Sequence, residues 1–407
     1  MTRVVVTGMA GISPIGNDWQ TISGNLKNMK TGVRFMPEWE KYDGLNTRLA
    51  APAEFEKPAH FTRKATRSMG RVSLMATIAA EQALEEAGLL GNDIIKDGRM
   101  GVSVGSSSGS TDAIAEFGKM LLEDSTRGMN ATSYVRMMAH TAPVNIGVYF
   151  GLKGRVITTS SACTSGSQGL GFAYEAIKSG KQSMMLAGGC ESLCPTQAAV
   201  FDTLFATSTL NDEPEKTPRP FDKDRDGLVI GEGACIFVLE SLESAEERGA
   251  TILAELVGFG TNSDGAHVTQ PQSETMRIAM ELALEDAELD GEKIGYVSAH
   301  GTATDRGDVA ETTATSGLLG ANTPISSLKG FTGHTLGACG SLEAMVTIRS
   351  MNEGWFHANA NLDNVDPDCG ELDYIRGEVR KIDTNYVMNN NFAFGGINTS
   401  LIFKRWQ

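Results

Sequence analysis

The 407-residue sequence contains no apolar run of about 18 residues, the length that a helix needs to cross a membrane. Its N-terminus has one basic residue and a short apolar run that ends at Gly8, which indicates a first β-strand rather than a signal peptide. Basic residues are too few for general nucleic-acid binding, because the formal net charge is −15. These absences predict a protein with no membrane span and no nucleic-acid partner.

Cysteine is scarce and scattered, with six residues at positions 163, 190, 194, 235, 339 and 369. Without a secretory signal, this pattern favours reduced thiols in the cytoplasm over a disulfide framework. Cys190 and Cys194 are four residues apart, but no second Cys or His pair at metal-ligand spacing accompanies them. We therefore expect small buried thiols there, with a metal site as the weaker alternative.

The two common glycine-rich phosphate-binding motifs are absent as well. The segment after the first predicted strand reads GMAGIS from Gly8, and it fits neither GxGxxG nor GxxxxGK[ST]. Glycine-rich turns before helices do occur further along the chain, and such turns can bind phosphate groups. Nucleotide binding therefore stays an alternative without a supporting motif.

Short β-branched runs alternate with helical stretches, which predicts layers of α and β structure. Strands are predicted at residues 3–7, 101–104, 155–159, 184–188, 235–240, 253–258, 296–299, 324–327 and 386–388, and helices at 69–87, 166–178, 274–288 and 340–351. A short capped helix is predicted to end at Gly249. Here we divide the chain into an N-terminal half, residues 1–250, and a C-terminal half, residues 251–407.

The clearest candidate for chemistry is a cysteine between a predicted strand and a predicted helix. Residues 157–169 read ITTSSACTSGSQG, in which small residues permit a sharp turn. Cys163 would then lie at a helix N-terminus, where free backbone N–H groups and the helix dipole favour the thiolate. A thiolate there is a good nucleophile toward a thioester. Small residues around a cysteine also occur in ordinary core turns, so this segment alone does not decide the role.

Three further strings place reactive or flexible residues after predicted strands. YVSAHGTATDRGD brings His300 into a loop of small and hydroxyl residues, and SSLKGFTGHTLGACG places Lys329 and His334 near a turn before a helix. In NNNFAFGGIN, residues 389–398, the glycines let the backbone approach a reacting group and the phenylalanines can line an apolar channel. Each string alone fits a structural role. Together, and in this order, the four segments are much more specific.

In these four segments and their order, the sequence resembles the type I/II β-ketoacyl-carrier-protein synthases of the thiolase-like superfamily. The likeness covers essentially the whole chain, from VVVTG at 4–8 to FGGIN at 394–398, and it includes the string RPFDKDRDGLVIGEG. The Cys163 turn, the HGT string and the KxxxGH string are its most specific parts. The resemblance implies an α/β protein with the thiolase-like duplicated five-layer αβαβα fold, and a dimer.

The resemblance also implies a reaction, the decarboxylative condensation of an acyl group with malonyl-carrier protein, which lengthens the chain by two carbons. By the family pattern Cys163 is the nucleophile, and His300 and His334 stabilise the developing oxyanion. The implied oxyanion hole consists of the backbone amides of Cys163 and Phe394. The implied supporting residues are Lys329 and Glu343, which order the site electrostatically, Phe394, which gates it, and Thr302 and Thr304, which bind the phosphopantetheine arm.

No metal or organic cofactor is implied, because the acyl carrier protein brings the phosphopantetheine with it. That carrier protein is the implied partner, and we expect it to dock on the basic residues Arg63, Lys64 and Arg67. A solvated helix start is the alternative explanation for this basic stretch. The implied dimer is either a homodimer or a heterodimer with a chain-length-factor-like subunit.

Three residues depart from the family pattern. Thr164 follows the nucleophile where alanine is usual, Leu210 stands where a basic docking residue is common, and Ser108 falls at an acyl-pocket position that is often larger and apolar. These departures slightly favour an aryl-polyene or related type II polyketide pathway over ordinary fatty-acid elongation. A non-catalytic chain-length-factor-like subunit and an acyl-CoA-directed thiolase-like enzyme remain as alternatives, and a cysteine hydrolase is less expected.

Overall fold

The computed structural model describes residues 2–407. Its strands are β1 (Val4–Ile12), β2 (Arg34–Phe35), β3 (Leu49–Ala51), β4 (Met100–Gly105), β5 (Val156–Thr159), β6 (Met184–Glu191), β7 (Ile230–Gly231), β8 (Gly233–Ser241), β9 (Ala254–Ser263), β10 (Tyr296–Ser298), β11 (Pro324–Ser326), β12 (Trp355–Phe356), β13 (Asp373–Tyr374), β14 (Arg380–Lys381), β15 (Tyr386–Ala393) and β16 (Ile397–Arg405).

The α-helices are α1 (Trp19–Lys27), α2 (Arg71–Glu86), α3 (Thr111–Glu123), α4 (Ala131–Met137), α5 (Thr141–Phe150), α6 (Ser165–Lys178), α7 (Pro195–Asp202), α8 (Leu242–Glu247), α9 (Ser273–Asp286), α10 (Asp305–Leu319), α11 (Lys329–Thr332) and α12 (Cys339–Glu353). Short 3-10 helices lie at Pro37–Trp39, Asp93–Lys96, Ala162–Thr164, Pro214–Lys216, Gly291–Lys293 and Leu336–Ala338.

Eleven of these strands form one sheet in the order β13-β11-β10-β15-β16-β9-β1-β8-β6-β4-β5. At its centre β1 pairs antiparallel with β9. The strand order from β1 is β8, β6, β4, β5, and the order from β9 is β16, β15, β10, β11. In the first series β1 pairs with β8 and β8 with β6 in antiparallel fashion, and β6 then pairs with β4 and β4 with β5 in parallel fashion. The second series repeats this order, because β9–β16 and β16–β15 are antiparallel and β15–β10 and β10–β11 are parallel. The chain therefore consists of two copies of one α/β unit, and the predicted duplicated fold is confirmed.

Helices form three layers around the two half-sheets. On one outer face α2 and α5 pack apolar residues such as Ile78 and Ile146 against the first half-sheet. On the other outer face α9 and α10 cover the second half-sheet, with Met280 in the contact. Between the half-sheets, α6 and α12 share one core with strands of both halves through Leu170 and Leu342. This arrangement is the five-layer αβαβα stack.

Every strand and helix predicted from the sequence is present, with boundaries that differ by a few residues. The largest differences occur where tertiary pairing extends a strand, since β1 continues to Ile12 and β15 to Ala393. The sequence patterns do not indicate α10, because its Thr and Gly residues are weak helix formers that packing overrides. The Ser241 side chain caps α8, as predicted. The division of the chain after residue 250 stays a prediction.

Within residues 2–407 no helix is both long enough and apolar enough to cross a membrane. All six cysteines are free thiols.

The two halves of the molecule meet at backbone contacts that leave no room for side chains. A β-carbon on Gly189, in β6, would lie 2.0 Å from the carbonyl oxygen of Gly337 and 2.6 Å from the α-carbon of Gly166. Gly166 lies in the first turn of α6, and Gly337 lies in the 3-10 helix just before α12. Glycine at these positions therefore sets the distance between the two central helices.

Gly189→Ala is expected to lower the free energy of unfolding by at least about 1–3 kcal/mol, because overpacking a well-packed core typically costs that much. Gly317→Ala is the matched control, because a β-carbon on this residue of α10 meets nothing within 4 Å. That change should stabilise the helix by roughly 0.5–1 kcal/mol. Thermal unfolding measures both variants, and equal melting temperatures would contradict the expectation.

Candidate active site

Cys163 lies in a sharp turn between β5 and α6. The 3-10 helix Ala162–Thr164 makes the turn, and Ala162 adopts a φ of 52°, in the left-handed region that residues with a β-carbon rarely use. The Ser165 hydroxyl donates to the Ala162 carbonyl at 2.7 Å, and the Thr164 hydroxyl donates to the Ser161 carbonyl at 2.8 Å. The predicted turn before a helix is therefore present, and small hydroxyl residues hold it.

A second turn of the same kind precedes α12 in the other half. The 3-10 helix Leu336–Ala338 begins with Leu336 at a φ of 46°, and Gly337 occupies the position that corresponds to Cys163. The Gly337 N–H donates to the buried Glu191 carboxylate at 3.1 Å. Of these two related turns, only the first has a thiol at its centre. The duplicated fold thus carries its nucleophile in the N-terminal copy.

Two histidines from the C-terminal half reach this thiol. The Nε2 atom of His334 lies 3.0 Å from the Sγ atom of Cys163. The imidazole rings of His300 and His334 have centroids 5.2 Å apart and are nearly perpendicular, at 86°. All three side chains are buried. Residues 163, 300 and 334, which are far apart in the sequence, therefore form one compact cluster.

Hydrogen bonds to the Nδ1 atoms assign the tautomers of both imidazoles. The Nδ1 atom of His300 lies 3.2 Å from Lys329 Nζ and 3.4 Å from Asn391 Nδ2, and both of these atoms are donors. The Nδ1 atom of His334 accepts the Leu336 N–H at 3.3 Å. Burial, together with the nearby charge of Lys329, holds the pKa of both histidines well below the usual value. Each neutral ring therefore carries its proton on Nε2 and donates it into the site.

Lys329 is a fully buried cation. Its ammonium group forms an ion pair with Glu343, and both side chains are 1% exposed. The negative charge of Glu343 outweighs the effect of burial and holds the pKa of Lys329 above its usual value. Asn391 donates to the second carboxylate oxygen of Glu343 at 2.7 Å. A fixed positive charge thus stands beside His300.

The thiol of Cys163 is protonated in this resting arrangement. Burial raises its pKa to about 11, although the charge of Lys329 and the backbone N–H groups of Phe394 and Cys163 act in the opposite direction. Backbone N–H groups therefore favour the thiolate, as expected, but burial outweighs them in the resting site. The two amides that oppose burial are those of the predicted oxyanion hole.

A pocket of about 450 Å³ joins the molecular surface to Cys163 and both histidines. Thr302 and Thr304 line its wall, with their hydroxyl oxygens 2.9 Å apart. Phe394 also lines the pocket and packs against Phe201, with 4.9 Å between the ring centroids. The structure therefore brings the predicted pantetheine-binding and gating residues to the channel that leads to the thiol, and their roles stay predictions.

Ser108 does not line this pocket. Its hydroxyl accepts a hydrogen bond from Gln197 Nε2 at 3.2 Å, and its N–H donates to the Glu191 carboxylate at 3.3 Å. Its assignment to an acyl pocket stays a prediction. Two other departures from the family pattern, Thr164 and Leu210, are buried and half-buried respectively.

Arg63, Lys64 and Arg67 are exposed, as a docking surface requires. They lie in turns before α2, which begins at Arg71 rather than at the predicted residue 69. They are therefore solvated turn residues rather than the start of a helix. None of the three forms an ion pair with any residue between 2 and 407. Their role in docking stays a prediction.

Sequence reasoning missed two residues that hold the site together. Glu311, on α10, accepts the N–H groups of His300 and Gly301, each at 2.7 Å, and burial raises its pKa to about 8. Asn391, on β15, connects His300 with Glu343. Glu311 carries no local signal because the sequence does not indicate its helix. Asn391 lies inside the string NNNFAFGGIN, but its spacing alone does not reveal its partners.

The ligand-type atoms of Cys163, His300 and His334 lie within 4.8 Å of one another, a spacing that a metal ion can use. However, a metal on Nε2 of His300 would move the ring proton to Nδ1, where it would face the ammonium of Lys329. A second group of possible ligands consists of His300, Cys339 and Glu343. The Lys329 ammonium already bonds to His300 and Glu343 in that group. The arrangement therefore suits hydrogen-bond donation better than metal binding.

Alkylation of Cys163 by iodoacetamide is expected to be slow at neutral pH and to speed up about tenfold per pH unit between about pH 7 and pH 9. Only the thiolate reacts, and the thiol pKa is raised to about 11. Lys329→Met, which removes a charge that lowers this pKa, should slow alkylation further at each pH. Peptide mass mapping separates the Cys163 adduct from that of the half-buried Cys194. A rate that is independent of pH above 7 would contradict the raised pKa.

The chain has clear relatives among proteins of known sequence. The family profile described as Beta-ketoacyl synthase, N-terminal domain, matches residues 1–245, and the profile of the Beta-ketoacyl synthase C-terminal domain matches residues 253–363. A 3-oxoacyl-[acyl-carrier-protein] synthase 2 from Vibrio cholerae is 40% identical, with 99% of each chain covered.

Solved structures are similar over the whole chain. A β-ketoacyl synthase from Burkholderia phymatum STM815 is 59% identical with a TM-score of 0.99, and 100% of each chain is covered. A type II polyketide synthase acyl-carrier protein in complex with its ketosynthase bound to the hexaketide provides a second likeness. It is 29% identical with a TM-score of 0.88, again with 100% of each chain covered.

Proposed function

Because the chain belongs to the β-ketoacyl synthase family and is a condensing acyltransferase of the 3-oxoacyl-[acyl-carrier-protein] synthase type, we propose that Cys163 is the residue that carries the acyl group. The observation that carries this proposal is the cluster of Cys163 with two neutral histidines at the end of the pocket. The thiol is within reach of a thioester in the pocket, and both imidazoles can donate to an oxygen there.

The first half of the reaction transfers the acyl group to the enzyme. The Cys163 sulfur attacks the thioester carbon, and the thiol proton passes to the sulfur of the departing pantetheine, so that one thioester replaces another. The negative charge on the carbonyl oxygen in the tetrahedral intermediate is stabilised by the backbone amides of Cys163 and Phe394. The same two amides lower the pKa of the thiol, which supports their place beside the reacting sulfur.

The second half joins two carbons to the acyl group. Malonyl-carrier protein loses CO₂, and negative charge develops on its thioester oxygen as the enolate forms. The Nε2–H groups of His300 and His334 donate to that oxygen, and Lys329 and Glu343 hold His300 in the donor tautomer. The carbanion then attacks the carbonyl carbon on Cys163, the carbon–sulfur bond breaks, and the released thiolate takes up one proton.

Intact-mass analysis tests the first half-reaction. Purified protein mixed with acyl-carrier proteins should gain the mass of one acyl group, and Cys163→Ala should gain none. Adding malonyl-carrier protein should then yield a β-ketoacyl product on the carrier. If no donor acylates Cys163, alone or with a partner subunit, the chain is a non-catalytic subunit instead.

Replacing a histidine of the cluster should impair a different step of the reaction from replacing Cys163. His334→Ala is expected to keep acylation of Cys163 but to slow condensation by about 10²–10³-fold, the usual effect of losing one donor to a developing oxyanion. Single-turnover assays with pre-acylated enzyme measure this step apart from acyl transfer. His140→Ala is a suitable control, because His140 lies just before α5 and does not line the pocket. Equal losses in acylation and condensation would contradict the assigned role.

We propose that the carrier protein docks partly through Arg63, Lys64 and Arg67, whose free, exposed charges can attract an acidic partner. Reversing two of these charges, in Arg63→Glu with Lys64→Glu, should raise the KM for carrier-bound substrate severalfold and weaken its dependence on salt. Lys293→Glu with Lys381→Glu, which changes net charge equally at exposed positions elsewhere on the surface, is the control. An unchanged KM in the first variant would remove these residues from the docking surface.

We further propose a dimer in which a second ketosynthase-type chain covers β5. This strand is one of the two edges of the large sheet, and its Val156 is half exposed. Exposed strand edges are usually covered in native assemblies. A chain with Cys163, His300 and His334 intact would be the catalytic member, whether the partner is a second copy or a chain-length-factor-like subunit.

For the pathway, we propose elongation of carrier-bound acyl chains in fatty-acid synthesis in the cytoplasm, with no metal or organic cofactor. The 40% identity to the Vibrio 3-oxoacyl synthase, against 29% to the polyketide ketosynthase, supports this choice. The aryl-polyene or polyketide pathway stays a second candidate because the polar residue Ser108 stands at a position that the family resemblance assigns to the acyl pocket. Comparing saturated and polyenoyl carriers as acyl donors decides between them.

A further inference from the structure

Four apolar side chains are exposed around the mouth of the pocket that leads to Cys163. Phe205 is 92% exposed, Val268 66%, Val200 54% and Leu204 45%. Phe205, Leu204 and Val268 line the pocket itself, and Val200 lies four residues before Leu204, on α7. We name these four residues the apolar rim. Large exposed apolar groups beside a functional pocket are typical of surfaces that bind a partner.

The backbone holds Phe205 outward at an energetic cost. Its φ of 55° lies in the left-handed region, where a residue with a β-carbon is strained. Its N–H donates to the Asp202 carbonyl at 3.0 Å, and the next N–H, from Ala206, donates to the Phe201 carbonyl at 3.0 Å. Glycine or asparagine would suit this backbone better. Neither local conformation nor burial favours a phenylalanine here, which indicates that its side chain serves an intermolecular contact.

The apolar rim is continuous with the reactive site. Phe201, one turn before Phe205, packs against Phe394. The carbonyl of Val268 accepts the N–H of Gly395 at 2.9 Å. A macromolecule bound at the rim would therefore lie next to the segment whose Phe394 amide faces the Cys163 sulfur.

We infer that the apolar rim binds the acyl carrier protein, with Phe205 as the central contact. This inference rests on the proposed function and names the partner surface of the same site. The thioester that enters the pocket is attached to the carrier, so the carrier must stand over the pocket mouth while its arm reaches Cys163. Because the chain has a net charge of −15, overall electrostatics does not favour an acidic carrier. Burial of apolar surface at the rim supplies affinity that does not depend on charge.

Phe205→Gly tests this role, because it removes the side chain and the backbone strain together. Acylation of Cys163 is followed with two donors, an acyl-carrier protein and the corresponding acyl-pantetheine thioester, which has no protein to dock. The variant should raise the KM for the carrier at least about tenfold more than the KM for the pantetheine thioester, the effect expected for losing one buried phenylalanine contact. Its melting temperature should rise, because glycine relieves the strain at φ 55°.

Glu288→Gly is the matched control. Glu288 has a φ of 52°, is exposed just after α9 and does not line the pocket. It should show the same rise in melting temperature with no change in either KM. Phe205→Asn, which the left-handed region tolerates, is a second variant with the same expected KM pattern.

Equal changes in the two KM values, or an unchanged KM for the carrier, would overturn the inference while acylation of Cys163 still supports the proposed function. A change in oligomeric state of Phe205→Gly, measured by light scattering, would assign the rim to a second copy of this chain and would also overturn it. If neither donor acylates the wild-type protein, the proposed function fails, and the inference fails with it.

Discussion

Lys329 carries a positive charge into a part of the protein that excludes water, and Glu343 and His300 are its partners there. An unpaired charge at this depth would be unfavourable by several kcal/mol, and removing one partner of such a pair commonly costs about 3–5 kcal/mol. The ion pair therefore ties the start of α11 to α12. It also forces the Nδ1 atom of His300 to accept, which leaves the Nε2 proton directed into the site. One buried contact thus links the packing of the C-terminal half to the chemistry that the site can perform.

The duplicated architecture explains how a single site arises from two similar halves. Each half contributes a turn with a left-handed residue followed by a central helix, and the two turns meet where Gly166, Gly189 and Gly337 bring backbones together. In the N-terminal copy the turn presents Cys163. In the C-terminal copy the corresponding Gly337 donates its N–H to Glu191, a buried carboxylate. The second half instead supplies His300 and His334, so neither half has a complete site alone.

Burial has opposite consequences for the groups of the cluster. It raises the pKa of the Cys163 thiol, lowers the pKa of both imidazoles and raises the pKa of Glu311. The thiol, both imidazoles and Glu311 are therefore driven toward their neutral forms. Burial also raises the pKa of Glu343, and the Lys329 ammonium opposes that effect. The ion pair of Lys329 with Glu343 is therefore the charged part of the cluster. A site of neutral donors around a protonated thiol is suited to stabilising charge that appears only during the reaction.

Local patterns in the sequence determined the alternation of strands and helices, the turn at Cys163 and the strings that contain His300, Lys329 and His334. These features depend on neighbouring residues, since small residues, β-branched runs and glycines act within one turn or strand. The sequence did not indicate α10, the contacts of Glu311 and Asn391, the raised pKa of the thiol or the exposure of Phe205. Those depend on which distant segments pack together, because burial and hydrogen-bond partners exist only once the two halves have met. The tertiary structure alone therefore decided the protonation state of the site and the shape of its entrance.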